Sequence, residues 1–150
     1  MQIRRLAGQD AVLLSDFFKS QPPLSHQHFH PFDRIDAEHL RGVLIEAKED
    51  HYWMIEHEEV PRAFFMMRGL DVGYPRPAFG VMVDHQCREC GLGTLALRHS
   101  ISWARLSRLS DLMLTVKKEN QSAIRLYQKH GFIHEKDLPE KNSIRMSLNL

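Results

Sequence analysis

Residues 78–107 constrain the chain most: AFGVMVD, then HQCRECGLGT, then LALRHSISWARLS. The first piece is a nearly continuous apolar run, the pattern of a strand covered on both faces. The last carries apolar residues at helical spacing, with a stripe predicted through Leu92, Leu95, Ala96, Trp103 and Leu106. Strand, short loop and helix in that order call for a layered α/β architecture. The helix begins at about Gly91–Thr94, so its first amides and the positive end of its dipole face the loop, which suits an anion. Gly91 and Gly93 let main chain approach that anion with no Cβ between them. A plain tight turn into a helix satisfies the same pattern. The loop lacks the Gly-Lys-Ser/Thr ending of nucleotide hydrolases and the three early glycines of a dinucleotide fingerprint.

The remainder reads as alternating elements. QIRRL is a short strand, and Asp10 is placed to cap the helix AVLLSDFFKS. Pro22, Pro23 and Pro31 predict that QPPLSHQHFHPF is a loop of about a dozen residues. Asp36 opens a helix, AEHLRGVLIEAKE. HYWMIEHEE and VPRAFFMMRGL form two strands joined at Glu58–Glu59, and GLDVGYPRP is a turn-rich connection. DLMLTV is a buried strand, NQSAIRLYQKHGF a helix capped by Asn120 and stopped at Gly131, and two further strands flank Pro139. No repeat or linker interrupts the chain, which reads as one domain over residues 1–150.

Two motifs together carry a resemblance. RECGLG (Arg88–Gly93) fits the Gln/Arg-x-x-Gly-x-Gly/Ala pattern of the GNAT superfamily of N-acetyltransferases. LTV, Asn120, Ala123, Leu126–Tyr127 and Gly131–Phe132 resemble that family's later pattern, in the right order and separation. The resemblance covers residues 79–134. It implies an α/β (α+β) fold: a mixed, mostly antiparallel central sheet with helices on both faces, splayed at the strand of Val81 and Val83. It also implies acetyl-CoA as co-substrate. Main chain from Arg88 through Glu89, Cys90, Gly91, Leu92 and Gly93 to Thr94 would hold the pyrophosphate, and Val81 and Val83 would pair with the pantetheine arm. One of their amides would stabilise the tetrahedral oxyanion. Asn120 would hydrogen-bond the cofactor, and Tyr127 would protonate the departing thiolate, a role open to a phenol still protonated at neutral pH. Asn120 also suits a plain cap, and Tyr127 a plain core ring on the face of Ala123.

The implied activity is acetyl transfer to a primary amine by direct attack in a ternary complex, since no Ser-His or Cys-His nucleophile motif is recognisable. A small-molecule amine, such as an amino sugar, is the expected acceptor. A protein or peptide amine, and a non-catalytic acyl-CoA-binding or sensing domain, are the alternatives. One branch of the family carries a glutamate four residues before Val81, but that position here is Pro77, so the base must lie elsewhere. Asp71, Glu56, His57 and the histidines of SHQHFHPF are candidates. That segment, with His26, His28 and His30 at alternate positions, is expected to overhang the acceptor side, with His28, His30 and Phe32 as acceptor contacts. As a metal site it would need all three rings on one side.

Cys87 and Cys90 form a lone C-x-x-C with no second pair, which argues against structural zinc and against a disulfide framework. No metal is expected. Twenty basic and nineteen acidic side chains leave a net charge of +1, so no global field selects nucleic acid or an anionic membrane. No apolar stretch is long enough to cross a bilayer, and the first residues are not a secretory leader. A reducing, cytoplasmic setting follows as an expectation, with a homodimer left open.

Overall fold

The computed structural model describes residues 1–150. Strand β1 (Gln2–Arg5) leads through a short turn to α1 (Ala11–Lys19), α2 (Pro23–His28) and α3 (Ala37–Glu46). Strands β2 (His51–His57), β3 (Val60–Arg68) and β4 (Ala78–Val83) follow, then α4 (Leu92–Leu106), β5 (Asp111–Lys117), α5 (Gln121–Lys129), β6 (Ile133–Leu138) and β7 (Ser143–Asn149). The strands form one seven-stranded sheet in the order β1-β2-β3-β4-β5-β7-β6, antiparallel throughout except where β4 runs parallel to β5.

Side-chain alternation along the strands explains the two cores. Tyr52, Met54, Phe64, Met66 and Met82 face α1 and α3 with Leu14, Phe18, Leu40 and Leu44. Trp53, Ile55, Phe65, Met67 and Phe79 face the other way, joining Leu97 and Ile101 of α4 and Ile124 and Tyr127 of α5. The buried stripe of α4 runs through Leu92, Ala96, Leu97, Ser100, Ile101 and Ala104. Leu106, predicted within the stripe, is 85% exposed because, two residues past the fully buried Ala104, it falls on the opposite side of the helix.

Asp36 caps α3 as predicted, its Oδ1 accepting from the His39 amide at 3.0 Å. Asp10 precedes α1 without capping it. Its carboxylate turns back, Oδ2 accepting from the Ala7 amide at 2.8 Å and Oδ1 pairing with Arg4 at 2.9 Å, so both oxygens are engaged ahead of the helix. The β2–β3 turn places Glu58 and Glu59 at φ 51° and 65°, the left-handed geometry that a tight hairpin demands. The connection from β3 to β4 is tied by two aspartates. Asp50 accepts from the amides of Gly69, Leu70 and Asp71, and Asp71 accepts from those of Lys48, Glu49 and Asp50.

Candidate active site

The site grows from one interrupted ladder. Strand β4 pairs with β3 over its whole length, but with β5 only where Ala78 meets Met113. Beyond that point the two parallel strands diverge. The Asp84 amide donates to the Arg62 carbonyl at 2.8 Å, and the Met113 amide donates to the Pro77 carbonyl at 3.1 Å. Alternation along the strand therefore turns Ala78, Gly80 and Met82 toward β3, and the main chain of Phe79, Val81 and Val83 toward the gap. A cleft of about 610 Å³ opens there, lined by residues from elements on both sheet faces.

At the top of the gap, Gly91 adopts φ 82° and starts α4, following Glu89 at φ 63°. The amides of Arg88, Glu89, Gly91, Leu92, Gly93 and Thr94 find no acceptor within the chain. Such donors cost free energy unless water or a ligand takes them. At a helix N-terminus they suit a phosphate or pyrophosphate. A Cβ at Gly93 would meet nothing nearer than Leu126 Cδ2 at 3.5 Å, so the chain itself does not demand glycine there. The residues fit the pyrophosphate of coenzyme A, with Val81 and Val83 offering an unpaired strand edge to the amides of its arm.

Across the gap stands α2. Pro22 and Pro23 do not extend a loop here. They begin a helix, because proline's fixed φ and missing amide suit the first turn. The predicted dozen-residue loop is thus half helix, and its alternate histidines diverge. His26 Nε2 lies 2.9 Å from the Phe18 carbonyl. His28 is half-buried in the cleft wall, and His30 is exposed outside it. Phe32 is 2% exposed, packed among Phe18, Tyr52 and Phe64, so it is a core ring and lines no part of the cleft. Phe29, passed over in the sequence, lies over Gly80. A Cβ there would fall 2.5 Å from its Cζ and 2.9 Å from Met66 Cε. Two polar ties join this wall to the loop after β4. Arg88 Nη2 donates to Ser25 Oγ at 3.2 Å, and the His85 amide donates to Gln21 Oε1 at 2.9 Å.

Tyr127 closes the third side, from α5. Its ring meets Phe79 edge-on at 6.2 Å and Phe132 at 5.8 Å. Burial alone pushes its phenol well above the ordinary value, so the group stays protonated and can donate. Asn120 caps α5, its Oδ1 accepting from the Ala123 amide at 3.4 Å, and it also lines the cleft. Gap, amide cradle and buried phenol occupy one cavity.

Residues 13–132 match the Acetyltransferase (GNAT) family. The chain belongs to the GNAT family of acetyltransferases. No curated protein matches it in sequence. Solved structures agree in fold. The GNAT domain of PAT from S. lividans superposes with a TM-score of 0.82 at 15% identity, covering 99% of this chain and 89% of that one. Spermidine N-acetyltransferase from Vibrio cholerae, in complex with CoA and spermine, gives 0.82 at 16% identity, covering 99% and 94%. Ribosomal-protein-S5-alanine acetyltransferase from Vibrio fischeri gives 0.81 at 16% identity, covering 99% and 92%. The mixed, mostly antiparallel sheet with helices on both faces is the GNAT fold.

Within this GNAT site, Val81, Val83, Arg88, Glu89, Gly91, Leu92, Gly93, Thr94, Asn120 and Tyr127 all line the cleft. Cys90 does not: it is exposed, and its amide closes the turn onto the Cys87 carbonyl at 3.4 Å. Both cysteines are free, and no three His, Cys, Asp or Glu side chains gather as a metal site. Three candidate bases stand elsewhere. The Asp71 carboxylate is taken up by the three amides above, which hold it below the usual range. Glu56 is paired with Arg4 at 3.1 Å, and His57 sits beside Glu58 at the β2–β3 turn. Reading the sequence also passed over Ser25, Gly80 and Thr115 of the lining. Only the isolated glycine inside an apolar strand was a signal, since it marks a close approach.

Proposed function

We propose that this GNAT protein transfers the acetyl group of acetyl-CoA to the primary amine of a small molecule, an amino sugar being one such acceptor, by direct attack in a ternary complex. The observation that carries the reading is the unpaired edge of β4 beside six free amides, with the Tyr127 phenol in the same cavity. The pantetheine arm lies against Val81 and Val83 as an added strand, and one of their amides donates to the developing oxyanion. Tyr127 delivers its proton to the leaving thiolate. His28 takes the proton of the attacking amine. It is the histidine in the lining, and neither of its ring nitrogens is engaged by the chain, whereas His26 is held by Phe18.

Tyr127→Phe tests the reading. Turnover, measured as thiol release from acetyl-CoA with a panel of amines, falls by roughly 100-fold or more, while acetyl-CoA affinity holds. His28→Ala lowers kcat or raises acceptor KM, again with acetyl-CoA binding intact. If no amine in the panel releases thiol although acetyl-CoA binds, the domain is an acyl-CoA sensor. If only peptide amines do, the acceptor is a protein, the class named for the Vibrio fischeri enzyme.

A further inference from the structure

Half of the sheet has an uncovered face beside the cleft. The core beneath α1 and α3 draws no residue from β5, β6 or β7. Leu112, Leu114, Val116, Met146 and Leu148 point the other way, into the core beneath α4 and α5. The alternate residues Thr115 and Arg145 therefore stand on the open face. They are directly opposed across β5 and β7, and Lys136 of β6 is opposed to Arg145. One row thus crosses three strands, Thr115, Arg145, Lys136, spanning roughly 10 Å at ordinary strand spacing. Its first member lines the cleft.

The row itself holds two cations and no carboxylate. A β-bulge in β6 between His134 and Lys136 shifts the register. Without it, Glu135 would stand directly opposite Arg145; with it, Lys136 stands there, a like charge. Like charges directly opposed across strands destabilise a sheet. Glu135 instead gives both carboxylate oxygens to Arg76, at 2.7 Å each. Arg145 keeps only a loose ion pair with Glu135, Nε to Oε2 at 3.9 Å, and that Nε is buried without a hydrogen-bond partner. On the cleft side, the one carboxylate in the lining is Glu89, and it belongs to the cofactor loop. Nothing there would neutralise a second cationic end of an acceptor.

Resting on the acetyltransferase reading above, we infer that the Thr115–Arg145–Lys136 row is an acceptor subsite for an oxyanion, so that the preferred amine carries a carboxylate or phosphate at its far end. Arg145 forks onto the oxyanion, Lys136 adds charge at its rim, and Thr115 hydrogen-bonds the part that enters the gap.

The test compares matched amines on protein saturated with CoA, which keeps added anions off the amide cradle. Glucosamine 6-phosphate is set against glucosamine, and 6-aminohexanoate against 6-aminohexanamide, by calorimetry. The expected result is a preference of about tenfold or more for the anionic member of at least one pair, the better pair distinguishing phosphate from carboxylate. In Arg145→Gln that ratio collapses toward one, and Arg145→Lys restores part of it. Lys136→Gln, at an exposed position, lowers the ratio severalfold and serves if Arg145→Gln does not fold. A ratio near one in the wild type, or one unchanged in these variants, overturns the subsite. Anion-selective binding without thiol release from any amine would refute the transferase reading and leave the subsite standing.

Discussion

The two walls of the cleft present different chemistry. The wall after β4 presents main chain: six free amides between Arg88 and Thr94, all but that of Cys90, and the open edge of Val81 and Val83. The wall made by α2 presents side chains, with Ser25, His28 and Phe29 set above Gly80. Backbone donors have fixed spacing, so they suit a chemical constant such as pyrophosphate. Side chains can be exchanged without disturbing the sheet, so they suit an acceptor that differs between relatives. The ties between Arg88 and Ser25 and between His85 and Gln21 make each wall a support for the other. A change confined to one wall should therefore be read first in its own ligand.

Gly93→Asp is expected to separate the walls most strongly. A carboxylate in the first turn is favoured by the helix dipole, and the nearest side chain lies at ordinary contact distance, so the thermal midpoint stays within a few degrees. The same charge repels pyrophosphate, and acetyl-CoA affinity should fall about 100-fold in a binding titration. An unchanged affinity would mean that the glycine loop is only a turn.

Gly80→Ala strikes the other wall. Its new methyl must displace Phe29 or Met66 and costs about 1–3 kcal/mol, visible as a drop of several degrees on melting. Acceptor KM should rise more than the dissociation constant of acetyl-CoA. The reverse order would show that α2 supports the cofactor instead.

Asn120 tests where capping stops and recognition begins. Asn120→Ala removes the acceptor of the Ala123 amide and costs about 1 kcal/mol. Asn120→Asp keeps the cap but loses the amide donor, so stability is retained while acetyl-CoA binding weakens severalfold. If both variants bind acetyl-CoA normally, the residue is a cap alone.

The smallest effect lies outside both walls. His99 packs edge-on against Trp53 and Phe65, and burial lowers its pKa. Burial likewise lowers that of His51, which packs on Trp103. A histidine with a depressed folded pKa binds its proton more weakly when folded, so stability is present above the unfolded value of about 6.5 and declines as pH falls through it. The thermal midpoint should drop from pH 7 to pH 5, with acetyl-CoA affinity at pH 7 unchanged by His99→Gln. A midpoint that rises on acidification would contradict this.

What could be read in advance divides along the same line. RECGLG was legible because a main-chain cradle leaves its mark in residue type and spacing: glycine where φ is positive or where an anion needs room, followed at once by helical periodicity. Asn120, Leu126–Tyr127 and Gly131 were legible for a similar reason, as a cap, a packed face and a stop on one short helix. SHQHFHPF misled because alternation means one face only in an extended chain. Pro23 starts a helix, which sends His26 to Phe18, His28 to the cleft and Phe32 to the core.

The sequence by itself determined most of the strands and helices and the glycine-bearing turn into α4, because each depends on residues close together in the chain. Only the tertiary structure decided which side chains meet across the sheet. Phe29 meets Gly80, and Arg145 meets Lys136, through sheet order and a single bulge at Glu135. A shift of one residue in a strand exchanges its faces, and no local pattern in β6 announces that shift.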